Sequence, residues 1–97
     1  MNHYTLSQKA QEDIDTIYEF GLQKFGKDQA IEYLVTLRSY FELLLKNPDI
    51  GKQRDEIKEG LYSFPCVSHL IFYRVFANHL RVVRVLHGSR DLKRFIK

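Results

Sequence analysis

Ninety-seven residues, 44% hydrophobic and 13% aromatic, are enough for one domain with a single modest core, 1–97. They exclude a disordered chain, and the lone Cys66 excludes a disulfide-stapled one. The formal charge of +3 hides a split: residues 1–50 hold five Lys/Arg against eight acids, and residues 51–97 hold ten against four. A basic carboxyl half implies an acidic partner, either nucleic acid or an acidic protein segment.

The opening MNHYTLSQKAQED has neither a basic nor an apolar signal region, and no apolar run approaches the ~20 residues that span a bilayer. A cytoplasmic protein with no membrane partner is expected. HYTLS alternates, with Tyr4 and Leu6 on one face, and reads as a first strand. Ser7 then suits an N-cap, with Glu12 and Asp13 near the positive end of the helix. Ala10, Ile14, Ile17, Gly21 and Phe25 form the apolar stripe of that helix. Gly26 suits its stop and Asp28 the cap of the next helix, whose stripe is Ala30, Leu34, Leu37, Phe41 and Leu44. Asn47-Pro48 ends it, because a residue before proline avoids helical backbone. So short a link makes the two helices an antiparallel hairpin.

PDIGKQRDEIKEG reads as an ordered loop with a helical turn, and LYSFP as a short strand stopped by Pro65. SHLIFYRVF and HLRVVRVLH are two long strands joined at Ala77-Asn78, where asparagine tolerates the positive φ of a two-residue hairpin. SRDLKRFIK either adds a short last helix or stays irregular. The fold class is therefore α+β: β-α-α-β-β-β, an antiparallel sheet with the helical hairpin across one face. Strict alternation in the last strand puts Arg81, Val83, Val85 and His87 on one side and Leu80, Val82, Arg84 and Leu86 on the other. Each side mixes aliphatic and basic residues, so alternation does not say which packs on the helices. The other is a half-apolar, half-basic surface suited to a protein partner.

Chemistry finds little purchase. Neither Ser68 nor Ser89 sits in a nucleophile elbow, and His3, His69, His79 and His87 lack the spacing and cysteine partners of a metal site. The glycines are scattered singles, so no phosphate-cradling loop forms. No cofactor or metal is expected. Phe64, Phe72, Tyr73 and Phe76 read as core. Cys66 reads as a small buried apolar side chain. Metal-free RNA cleavage needs a base, an acid and cations for the phosphate. His87 with Arg81 and Arg84 supplies part of that set, and no second acid/base group is evident beside His87. Both helices are acidic in bias, so sequence-specific nucleic-acid binding by the chain alone is not expected.

The strings YTLSQKAQEDIDTIYEFGLQKFGKDQAIEYL, RDEIKEGLYSFPCVSHLIFYRV and RVLHGSRD, in register over essentially the whole chain, resemble the ParE branch of the RelE/ParE toxin superfamily. The resemblance implies a toxin of a bacterial toxin–antitoxin operon, neutralised by tight binding of a ParD-type antitoxin. It also implies poisoning of DNA gyrase, a binding rather than a catalytic activity. RelE-like relatives instead cut mRNA in the ribosome, using basic residues and a late tyrosine or histidine. This chain has His69 where that branch carries a basic residue, and no aromatic residue after His87 until Phe95. Gyrase poisoning is therefore the expected activity. The alternatives are a ribonuclease using His87, Arg81 and Arg84, and a non-toxic regulatory relative. For the target, His87, Ser89, Arg90, Lys93 and Arg94 are the expected contacts. For the antitoxin they are Arg74, Arg81, Val83 and Val85, or the reverse side of that strand, with Tyr33 and Tyr40.

Overall fold

The structure is a computed structural model, and it describes residues 3–88. Strand β1 (His3–Leu6) leads into helix α1 (Gln8–Phe25) and helix α2 (Lys27–Lys46). Four strands follow: β2 (Lys52–Gln53), β3 (Leu61–Cys66), β4 (His69–Val75) and β5 (His79–His87). Ser7 caps α1 as expected, its Oγ accepting the Ala10 amide at 2.9 Å. Gly26, at φ 91°, closes α1 and opens α2, so Asp28 lies inside the first turn of α2 instead of capping it. Between Pro48 and Gly60 the Lys58 amide donates to Arg54 O at 3.0 Å, the anticipated helical turn. The preceding Lys52–Gln53 adds a short strand that the sequence did not announce.

The strands form one sheet in the order β1-β5-β4-β3-β2. Pairings from β5 through β2 are antiparallel, as expected, but β1 joins β5 in parallel, so the sheet is mixed. Alternation reports which residues share a face and carries no information on strand direction. Pro65 does not stop β3, which runs on to Cys66. The Arg54 amide donates to Leu61 O, so Leu61, Ser63 and Pro65 direct their main-chain groups towards β2. Since β2 pairs only with Tyr62 and Ser63, the missing amide of Pro65 falls on an open edge, where it costs nothing and blocks further pairing.

The tight turns also differ from expectation. No positive φ occurs at Asn78; the one non-glycine residue with positive φ among the described residues is Val67, at 57°, between β3 and β4. A β-branched side chain there is strained by about 1–3 kcal/mol. In β5 the register slips between Phe72 and Tyr73, leaving Val83 as an extra residue, a β-bulge. The bulge resolves which side faces the helices, and neither of the two alternation sets survives it whole. Leu80, Val82 and Val85 pack with Ala10, Leu37, Phe41, Leu44, Cys66, Ile71 and Tyr73 in the main core. Leu61, Phe72 and Leu86, with Ile57, Leu70 and Val83, form a smaller cluster on the outer face. Arg84 and Leu86 therefore lie outside and Val85 inside, because one added residue inverts the alternation beyond it.

Candidate functional site

The end of the sheet where β3 turns into β4 brings together His69, His87, Tyr33 and Cys66. His69 and His87 are paired across β4 and β5, their rings 5.5 Å apart and nearly perpendicular at 81°. The Tyr33 hydroxyl, from α2, lies 2.6 Å from His69 Nδ1 and 3.2 Å from the Cys66 carbonyl. With one proton, Tyr33 donates to one of the two; donation to the carbonyl requires His69 to carry its proton on Nδ1 and donate to Tyr33. Ser68 Oγ stands 3.4 Å from the same nitrogen, and the Gly88 amide donates to Ser68 O at 3.0 Å, tying the end of β5 to the turn. Burial pushes the Tyr33 phenol up to about 12, so at neutral pH it is a neutral hydrogen-bonding group. Cys66 is fully buried, as expected, and burial pushes its thiol up to about 11, which removes it as a nucleophile.

His87 thus has the acid/base neighbour that the sequence lacked beside it. Counting pairs outward from the β4–β5 turn sets Leu86, not His87, opposite His69; the Val83 bulge supplies the missing step. Without the bulge the partnership cannot be read from spacing. The arginines go elsewhere. Arg84 makes a two-pronged ion pair with Asp13 of α1, Nε to Oδ2 at 2.8 Å and Nη2 to Oδ1 at 2.9 Å, with both side chains nearly buried. Hydrogen bonding to Asp13 holds the guanidinium above its ordinary value. Asp13 therefore turns to β5 and does not serve the helix end it was expected to favour. Arg81 faces Arg74 across the strands at the far end of the outer face.

The residues expected to meet the antitoxin fall on different surfaces. Arg74, Arg81 and Val83 lie on the outer face, Val85 is 2% exposed in the core, and Tyr33 is half-buried against His69. Tyr40 packs against Phe64 at 6.1 Å and lines, with Ser39, Leu43, Phe64 and Pro65, an apolar groove of about 410 Å³ between α2 and β3. The expected target contacts Ser89, Arg90, Lys93 and Arg94, and any last helix, lie outside the described residues. Among the described residues no group of three or more His, Cys, Asp or Glu side chains could hold a metal ion, and no helix is long and apolar enough to cross a membrane.

Residues 4–92 match the model of the ParE toxin of type II toxin–antitoxin systems, parDE. A protein named Toxin ParE1 from Caulobacter vibrioides is 31% identical over 93 residues, covering 96% of each chain. Toxin ParE1 from Mycobacterium tuberculosis is 37% identical over 94 residues, again covering 96% of each. Among solved structures, the chromosomal ParDE system from P. aeruginosa superposes with a TM-score of 0.77 at 18% identity, over 90% of this chain and 96% of that one. The YoeB–YefM toxin–antitoxin complex from Staphylococcus aureus follows the same fold at 0.62 and 17%, over 92% and 99%. With a family model spanning nearly the whole chain and relatives matched end to end, the chain belongs to the ParE toxin family of type II toxin–antitoxin systems.

Proposed function

We propose that the protein poisons DNA gyrase and is neutralised by a ParD-type antitoxin. The match of residues 4–92 to the parDE family carries this reading. The chemistry of the sheet end agrees with it. Cleaving RNA without a metal needs cations beside the proton-transfer groups. Among the described residues Arg84 is committed to Asp13, and Arg81 and Arg74 stand at the opposite end of the sheet from His87. On this reading the toxic act is binding, and His87, with Ser89, Arg90, Lys93 and Arg94 as expected from the sequence, makes the contact for gyrase.

The antitoxin fits the groove of Ser39, Tyr40, Leu43, Phe64 and Pro65 with an apolar anchor. Its acidic residues fit Arg74 and Arg81 on the outer face. A segment disordered when free reaches both by wrapping the edge at β3. The test is a gyrase assay with purified toxin, scoring supercoiling and cleaved plasmid with and without antitoxin. Lost supercoiling with accumulated cleavage, reversed by the antitoxin, is the expected outcome; unaffected gyrase beside a demonstrably toxic protein overturns it.

The Tyr33–His69–His87 chain favours one second reading, a ribosome-dependent ribonuclease. On that reading His69→Gln and His87→Gln abolish toxicity and mRNA cleavage while antitoxin binding persists. On the gyrase reading no mRNA cleavage is seen with the unaltered protein.

A further inference from the structure

The opposite end of the sheet's outer face carries a second composition that neither the groove nor the histidine pair uses. Register sets His3 against His79 and Thr5 against Arg81, while Arg74 faces Arg81. The Phe76 amide donates to His79 O, which places Phe76 beside His79. Since residues two apart in a strand share a face, two neighbouring rows cross three strands here. One is Phe76, His79 and His3; the other is Arg74, Arg81 and Thr5.

The first row is a stack of rings. Phe76 and His79 lie 4.8 Å apart at 8°, and His79 and His3 lie 5.5 Å apart at 11°. Those separations are close to the spacing of neighbouring strands, so the sheet itself holds the ladder. Phe76 was expected in the core, but it remains 42% exposed, and His3 at the other end is exposed too. The second row sets two guanidinium groups directly opposite, which like charges make unfavourable. Among the described residues neither Arg74 nor Arg81 has a hydrogen-bond or ion-pair partner. Arg38, Arg54 and Arg84, by contrast, each have a carboxylate. A cationic pair without a counter-charge among the described residues, beside an aromatic ladder with open ends, has the two components of single-stranded nucleic-acid recognition: a stacking face and a phosphate grip.

We propose that this face binds an unpaired stretch of nucleic acid without regard to sequence. A base stacks on an open end of the Phe76–His79–His3 ladder, and the neighbouring phosphates sit on Arg74 and Arg81. An acidic peptide would use the arginines alone and leaves the ladder unexplained, which is why nucleic acid is the better fit. The inference does not depend on the toxin's target. An antitoxin lying over the same arginines would compete with the nucleic acid.

The experiment is fluorescence anisotropy of a labelled oligothymidylate, and of a duplex of equal length, titrated with the purified full-length chain at two salt concentrations. The single strand is expected to bind more tightly than the duplex. Phe76→Ala and the double variant Arg74→Gln/Arg81→Gln should each weaken single-strand binding about tenfold, and Phe76→Tyr should retain it. The double variant should also flatten the salt dependence, by about 0.7 in log–log slope for each phosphate that it no longer neutralises. Thermal melts of the variants establish that they fold, and Phe76→Tyr guards against a folding artefact at that position. No binding by the unaltered chain, or binding by both variants as tight as that of the unaltered chain, overturns the proposal. So does displacement of the oligonucleotide by polyglutamate with Phe76→Ala without effect, which would make the face an acidic-peptide site.

Discussion

The Tyr73 hydroxyl holds two main-chain groups of the 48–60 loop at once. It accepts the Gly51 amide at 3.0 Å and donates to Pro48 O at 2.9 Å, in a side chain with no exposed surface. A Cβ at Gly51 would collide with the phenol, so glycine is required there by close approach. Tyr73→Phe should cost about 1–3 kcal/mol in urea unfolding, because it strands both backbone partners. The pH dependence follows. Burial pushes Tyr73 up to about 12 from an ordinary 10.0, and Tyr33 likewise. A phenol whose folded value exceeds its unfolded one contributes stability that is intact below pH 10.0 and is lost as pH rises towards 12. The unfolding free energy measured over that window should therefore fall less steeply with pH in Tyr73→Phe than in the unaltered chain. That Tyr73 is core was legible from strand alternation. Its loop partners, 22 and 25 positions away, were not, since no local pattern marks them.

Strand β1 ends at Leu6, opposite Val82, yet the edge of β5 continues to be satisfied. The Ser7 amide donates to Val82 O at 2.9 Å and the Ser7 hydroxyl to Val83 O at 2.7 Å. Asp13 then accepts the Val85 amide at 3.0 Å while gripping Arg84. The first turns of α1 thus extend β1 with side chains, and the bulge at Val83 lies within the stretch they hold. Asp13→Ala should cost about 3 kcal/mol, the scale of a buried ion pair broken on one side. A double-mutant cycle with Arg84→Met, read by chemical denaturation, should return a coupling of about 1–3 kcal/mol. Coupling near zero would show that the pair is incidental to the edge. The Ser7 cap of α1 and the apolar stripe of α2 could be read from spacing because they are set within a few residues along the chain, whereas Asp28 fell inside α2 and did not cap it. The pairing of Asp13 with Arg84, 71 positions apart, could not be read this way.

As a whole molecule the protein is a helical hairpin laid on one face of a sheet whose other face is basic at one end. Its α1 stripe is only partly used: Ala10 is buried, Ile14 and Ile17 are half-buried, and Phe25 is 60% exposed at the hairpin tip. A partner that binds only the folded state should raise the melting temperature with its concentration. At a hundredfold its Kd an antitoxin adds about 2.7 kcal/mol. Thermal melts across an antitoxin series should show that rise, and Leu43→Asp in the α2–β3 groove should blunt it. The two helices and their hairpin, strands β1, β3, β4 and β5, the Ser7 cap, the charge split and the resemblance to the ParE branch were determined by sequence alone, because each is written in spacing or composition along the chain. Tertiary structure decided the parallel seat of β1, the inversion of β5 at Val83, the burial of Val85 and the meeting of His69 with His87. Those depend on which strands meet and in what register, and the energy that selects a register comes from contacts between residues far apart in the chain.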